Sequence, residues 1–227
     1  RQLGLEEIGA AMRALIHVRF VQPIIEGDPV ASDAPFARIL AGSEMPLPDV
    51  LLDQIAVMLL AGHETTASTM SWLLWELAGN PEQQDVFASL LDDDAPARSF
   101  GSRWSTSTPS AIRAALVDEA LRLYPPIAFF LRETAGGVEF RGKEMRSGDF
   151  AVVAPWTLHR HRAVWHDPDA FRPERWIGSA DHPPASFLPF GFGARSCPGQ
   201  RFAYVEMHEI AQLLLTRCRF SRSAGAA

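Results

Sequence analysis

The chain has 227 residues, 47% apolar and 21% charged, the balance of a soluble globular protein with room for one core or two small domains. Its 21 basic and 27 acidic side chains give a formal net charge of −6, and the absence of any basic run argues against nucleic-acid binding. Two cysteines, Cys197 and Cys218, exclude a disulfide framework and a thiolate-rich zinc site, but leave room for one cysteine with a special task.

The longest apolar stretch, Ile55 to Gly62, is far shorter than a membrane span, and the first residues do not read as a signal peptide. The expectation is no membrane span and a cytoplasmic location. The opening at Arg1 suggests a fragment.

Leu3 to Phe20 carries apolar residues at helical spacing, and Gln22 to Pro48 is turn-rich, with a short helix expected around Pro35 to Leu40. Residues 1–47 thus read as a lead-in helix and turn-rich segment, and 48–227 as the main body. Asp49 to Leu77 reads as one long helix whose first half is apolar nearly all round and is therefore expected to be buried. Gly79-Asn80-Pro81 ends it and starts a helix running to about Leu91, with Asn80 as its cap. After an acidic and serine-rich loop, Thr108-Pro109 caps a helix ending at Leu123, before Pro125-Pro126. The period then alternates, and Phe129–Thr134, Val138–Arg141, Lys143–Arg146 and Phe150–Pro155 read as short strands joined by glycine turns. Trp165 to Trp176 reads as irregular chain, and Gln200 to Arg217 as a last helix. The fold class is mainly α (α+β): long helices with a small β-sheet.

The sharpest site-like feature is Phe190-Gly191-Phe192-Gly193-Ala194-Arg195-Ser196-Cys197-Pro198-Gly199, leading into that helix. Glycines permit close backbone approach, and a cysteine just before a helix N-terminus meets free N–H groups and a dipole that favour a thiolate. Such a thiolate suits a nucleophile or a soft metal ligand. The bland alternative is a glycine loop around an inert cysteine, and the agreement of loop, helix start and Arg195 speaks against it. Cys218 lacks this context and reads as a passive, half-buried thiol. His159 and His161 alternate like strand residues, but no further ligands at suitable spacing support a metal site. Arg160 and Arg162 read as surface charges, and Trp156, Trp165 and Trp176 as packing.

The Phe-x-x-Gly-x-Arg-x-Cys-x-Gly pattern of this loop resembles the haem-binding loop of the cytochrome P450 family. Ala61-Gly62-His63-Glu64-Thr65-Thr66 resembles the oxygen-activating segment of that family's central helix. Glu119-Ala120-Leu121-Arg122, with Phe171 to Trp176, resembles its Glu-x-x-Arg pair and later arginine partner, Arg175. The resemblance runs from about Pro48 to Phe220 and covers about half of a usual member. It implies the C-terminal half of the family's fold: the long central helix, the haem-binding cysteine loop and the small sheet. The helices over one haem face and most of the substrate roof would be missing, and the terminal hairpin after Phe220 cut.

That resemblance implies haem b held by Cys197 as the axial iron ligand, with Phe190 shielding the sulfur. Gly191, Gly193, Pro198 and Gly199 shape the loop, and Arg195 and Arg132 pair with propionates. Ala61 lies over the haem. Thr65 is assigned to stabilising reduced dioxygen and Glu64 to its proton path, because an alcohol beside a carboxylate suits a relay. Thr65 can also bond the carbonyl near Ala61 and open the helix. Glu119, Arg122 and Arg175 form a structural network. Val57, Thr66, Ile127, Phe129 and Phe130 are pocket-facing and suggest an apolar substrate. The implied activity is insertion of one oxygen atom of O2, with electrons from NAD(P)H through a ferredoxin or flavoprotein reductase. The alternatives are a truncated, non-catalytic haem- or partner-binding module, and a half-enzyme completed by a separate chain with the N-terminal helices.

Overall fold

The structure, a computed structural model, describes residues 5–28, 47–92, 107–178, 182–183 and 185–223. It divides into two compact units, residues 1–64 and 65–227. The boundary falls inside one continuous helix, rather than at residue 47 where composition changes.

The first unit holds α1 (Leu5–Ile16), a π-helical turn (His17–Val21), α2 (Gln22–Ile25) and the beginning of α3 (Asp49–Ala78). The segment expected to be turn-rich therefore starts as helix. The π-helical turn, in which the Gln22 N–H bonds the His17 carbonyl, leads straight into Pro23, which has no N–H to donate. The helix expected at 35–40 lies outside the described residues. Ile16, Val21, Leu47, Leu52, Ile55 and Ala56 form this unit's core. Arg13 Nη1 donates to Asp53 at 2.8 Å and ties α1 to α3. The 20-residue helical run Glu6–Ile25, with a mean hydropathy of 1.3 over its most apolar 18 residues, is long and apolar enough to cross a membrane by length and composition alone. That exceeds the sequence expectation, which considered only uninterrupted apolar runs.

One expectation fails here. Val57, Met58, Leu59 and Leu60 are exposed, so the first half of α3 is not buried all round. Among the described residues, its partners within the unit cover the side of Leu52, Ile55 and Ala56.

The second unit continues α3 and adds α4 (Pro81–Leu91), α5 (Pro109–Leu123), the short α6 (Pro155–Leu158) and α7 (Gln200–Arg217). The apolar faces of the four long helices meet in one core, with Leu73 and Leu77 of α3, Phe87 and Leu91 of α4, Leu116 and Leu121 of α5, and Met207 and Leu215 of α7. Asn80 Oδ1 accepts the Gln83 N–H at 3.1 Å and Thr108 Oγ1 the Ala111 N–H at 3.2 Å, so both expected caps form. Strands β1 (Phe130–Glu133) and β4 (Phe150–Val153) pair antiparallel, as do β2 (Val138–Phe140) and β3 (Lys143–Met145). The small sheet is thus two two-stranded pieces. Arg141 and Gly142 turn the β2–β3 hairpin with positive φ at both positions, the geometry that twists with the strands.

The chain around His159 is not a strand. It follows α6 as a turn, and His159 is buried while His161 is exposed. Arg160 is only partly exposed, its guanidinium 4.4 Å above the Trp156 ring, which corrects its reading as a plain surface charge. The irregular segment ends in a 3-10 turn, Pro173–Trp176.

Candidate functional site

The cysteine loop lies wholly within the second unit. The Cys197 N–H donates to the Phe190 carbonyl at 2.8 Å, closing the loop on itself. Within it the Ser196 N–H reaches the Gly193 carbonyl at 3.0 Å, around a short 3-10 turn, Gly193–Arg195. Gly191 and Gly193 have φ of 73° and 74°, a region a side chain enters only with strain. The Phe190 ring is half-buried against Tyr204, centroids 5.1 Å apart, so the loop's first residue is fixed to the first turns of α7.

Cys197 is exposed and stands three residues before α7 begins. A Cβ on Gly199 would come 3.8 Å from its sulfur, so the absence of a side chain keeps that flank open. Arg195, Pro198 and Gly199 are exposed as well. Phe192 and Phe202, before and after the cysteine, are 72% and 70% exposed.

Among the described residues no group of three or more His, Cys, Asp or Glu could hold a metal ion. The donor set at Cys197 is one soft sulfur. A metal bound there must bring its remaining ligands with it, as an iron porphyrin does. A sulfur beside a helix start, flanked by exposed aromatic rings and an exposed arginine, fits a flat apolar ring bearing carboxylates.

Cys218 is also exposed rather than half-buried, because the chain leaves α7 in an extended conformation there.

Behind the loop, Glu119 and Arg122 are both fully buried on α5. Arg122 Nε and Nη2 each donate to a Glu119 oxygen at 2.9 Å, a bidentate pair. Glu119 also accepts from Arg175 Nε at 3.0 Å, the Arg172 N–H at 2.8 Å and Trp176 Nε1 at 2.9 Å. Arg122 Nη1 donates to the carbonyls of His159 (2.9 Å) and Pro168 (2.6 Å), and Nη2 to that of Ala170 (3.1 Å). Such complete pairing is what a buried ion pair requires.

The other expected site residues are more scattered. Arg132 is exposed on β1, its guanidinium 4.5 Å above the Phe130 ring and donating to the Leu131 carbonyl at 3.0 Å. Ile127 and Phe129 are exposed and Phe130 half-buried. On α3, Val57, Ala61 and Glu64 belong to the first unit and are exposed, while Thr65 and Thr66 begin the second, half-buried and buried. The backbone stays α-helical across 61–66, so the opening considered for this stretch is not seen. Hydroxyls bond back one turn without breaking the ladder, as Thr69 Oγ1 does to the Thr65 carbonyl at 3.1 Å.

Two groups escaped sequence reasoning. His159 Nδ1 lies 3.2 Å from the Arg122 carbonyl and Nε2 accepts the Leu188 N–H at 2.8 Å; burial lowers its pKa to about 4. Asp118 accepts from the Tyr204 hydroxyl at 2.7 Å, and burial raises its carboxyl to about 6. Burial also pushes the Tyr204 phenol up. Neither pairing has a local sequence signal. Asp118 does stand on the apolar side of α5 next to Glu119, which hints at a buried partner.

Comparison with known proteins agrees with this geometry. The cytochrome P450 family profile matches residues 40–225. The chain is 34% identical over 187 residues to cytochrome P450 4A12B of Mus musculus, covering 80% of this chain and 36% of that protein. It is 35% identical to taurochenodeoxycholic 6 alpha-hydroxylase of Sus scrofa, with 80% and 36% covered. It is 34% identical to cyclooctatin synthase of Streptomyces melanosporofaciens, with 68% and 34% covered. A crystal structure of the cytochrome P450DA haem domain superposes with a TM-score of 0.70 at 26% identity, covering 91% of this chain and 46% of that one. The chain spans about a third of the length of these curated relatives. With a mainly helical fold, a small sheet and a cysteine loop leading into the last helix, the chain belongs to the cytochrome P450 family, of which it is a partial member.

Proposed function

We propose that the chain is the haem-binding portion of a monooxygenase acting on an apolar organic substrate. The carrying observation is the closed loop that presents an exposed Cys197 sulfur between two exposed phenylalanines at the start of α7. Haem iron supplies the activation of O2, and thiolate ligation favours O–O cleavage. Cys197 would bind the iron through its sulfur, Phe190 would screen that sulfur, and Gly191, Gly193, Pro198 and Gly199 would allow close backbone approach. Arg195 and Arg132 offer charge-assisted donors to propionates. Ala61, a small side chain, would leave room for the group.

Thr65 holds a proton at its hydroxyl and Glu64 relays protons from solvent, in keeping with its exposure. Val57, Thr66, Ile127, Phe129 and Phe130 contribute apolar wall. Electrons come from NAD(P)H through a ferredoxin or flavoprotein reductase. A cytoplasmic location belongs to this reading, in which α1 is tied into a folded unit by the ion pair of Arg13 with Asp53.

The test is spectroscopic. The purified chain is supplied with haem, reduced and exposed to CO. A thiolate-type Soret band that is lost in Cys197→Ser is expected; no haem uptake overturns the reading for this chain alone.

A second reading is favoured by the exposed Val57, Met58 and Leu60 and by the share of its relatives the chain spans. Here the chain is a half-enzyme completed by further protein that carries the N-terminal helices and covers that apolar face. Co-expression with such a segment should then raise haem uptake.

A further inference from the structure

We propose that His159 is a positioning residue for the cysteine loop, transmitting the buried Glu119–Arg122 arrangement to Cys197 through a fixed neutral imidazole. For its functional meaning the inference rests on Cys197 as haem ligand; its structural content does not.

The tautomer follows from the partners. A carbonyl can only accept, so Nδ1, 3.2 Å from the Arg122 carbonyl, carries the proton. An amide N–H can only donate, so Nε2, 2.8 Å from the Leu188 nitrogen, presents its lone pair. The ring is fully buried and packs on Phe187 with centroids 5.2 Å apart. Its orientation is also held from behind, since Arg122 Nη1 donates to the His159 carbonyl at 2.9 Å. Arg122 and His159 thus grip each other twice, 37 positions apart in sequence.

Leu188 lies two residues before the cysteine loop begins. Its carbonyl accepts the Gly191 N–H at 3.2 Å, and the Phe190 carbonyl accepts the Cys197 N–H at 2.8 Å. An unbroken path therefore runs from Arg122 through the imidazole to Leu188, Phe190 and Cys197. The irregular chain from Phe187 to Phe190 has no strand or helix to hold it, and His159 is a side-chain acceptor at its start. Orientation of a ligand by groups bonded behind it is how proteins tune a metal site.

Two variants separate the roles of the two nitrogens. Asn retains a donor near the Nδ1 position and cannot reach Leu188. Gln reaches the Nε2 position and restores an acceptor. Both are made in the full chain carrying Cys218→Ser, so that Cys197 is its sole thiol.

Without haem, amide exchange at Leu188 is measured relative to Leu116 in the core, together with the rate of Cys197 alkylation. In His159→Asn, relative protection of Leu188 should fall about tenfold and alkylation should change severalfold. In His159→Gln, both should lie near wild type. After haem addition, the Asn variant should show a smaller thiolate-type ferrous–CO band than the Gln variant.

Wild-type behaviour of the Asn variant overturns the proposal. So does a Gln variant that fares no better than Asn, or a loss shared by Leu116 that leaves the ratio unchanged. Because exchange and alkylation are read without haem, their outcome is independent of whether the wild-type chain takes up haem.

Discussion

The Tyr204 hydroxyl donates to the Asp118 carboxyl at 2.7 Å, joining α7 to α5 one residue before the buried Glu119. The same phenol ring packs on Phe190, the residue whose carbonyl closes the cysteine loop. Tyr204→Phe keeps the ring and removes the donor. Its expected cost is about 1–3 kcal/mol at pH 8, where Asp118 is ionised, and less at pH 4, where it is protonated. Urea denaturation at the two pH values checks this; equal losses at both would refute it.

Two buried groups titrate in opposite senses over the same range. His159 has its pKa lowered from 6.5 to about 4, chiefly by burial, so the unfolded chain takes up a proton first as pH falls. Its contribution to stability is therefore lost between about pH 6.5 and 4. Asp118 has its carboxyl raised from 3.8 to about 6, again chiefly by burial, so the native state holds the proton longer as pH rises. Its contribution is present below 3.8 and is lost as pH rises through about 6. Asp118→Asn, which can still accept from Tyr204, should gain roughly 1–3 kcal/mol over wild type at pH 7 and show a steeper rise of stability with pH. His159→Gln should show the reverse, a fall of stability with pH relative to wild type. Parallel wild-type and variant curves between pH 4 and 6.5 would exclude both assignments.

Arg122→Lys is expected to cost about 3–5 kcal/mol despite keeping the charge. A lysine cannot reproduce the fork on Glu119 while also reaching the carbonyls of His159, Pro168 and Ala170. The midpoint of denaturant unfolding measures it, and a shift worth under 1 kcal/mol would show that the pairing is not what holds this region.

Gln84 is buried on α4 and pairs with Phe220 on both sides, accepting its N–H at 2.7 Å and donating to its carbonyl at 3.0 Å. Gln84→Leu should destabilise the second unit by about 1–3 kcal/mol and speed amide exchange at Phe220. Unchanged exchange there would mean the tail is held by other contacts, such as Arg222 over the Trp75 ring at 4.2 Å.

In a haem-loaded preparation that turns over, Thr65→Ala should raise the share of O2 consumed without product. Oxygen uptake compared with product formed reads it directly, and unchanged coupling would remove Thr65 from the proton path.

The helices were legible because their signals are local. Thr108-Pro109 and Asn80-Pro81 announce helix starts, and Gln200–Arg217 follows a glycine. The cysteine loop was legible for the same reason, being ten consecutive residues. The exposed face of α3 was not, since an apolar pattern reports what a helix would bury and not whether a partner is present. His159 escaped because its partners lie 37 and 29 positions away and its own neighbours look like a charged surface turn. Gly79 does follow the last residue of α3, as its sequence suggests, though without a positive φ. A Cβ there would meet the Arg222 guanidinium, which lies against this glycine.

The guanidinium of Arg122 gathers carbonyls from His159, Pro168 and Ala170, three points along a stretch with little regular structure of its own. Instructions for the path of that stretch are thus stored at a distance, in one side chain of a helix completed some 35 residues earlier. A segment templated in this way can vary its outward-facing side chains freely, provided it still offers an oxygen at each of the three places. It is also mute in isolation: a peptide spanning residues 159–171 should have no preference for the conformation it holds in the protein.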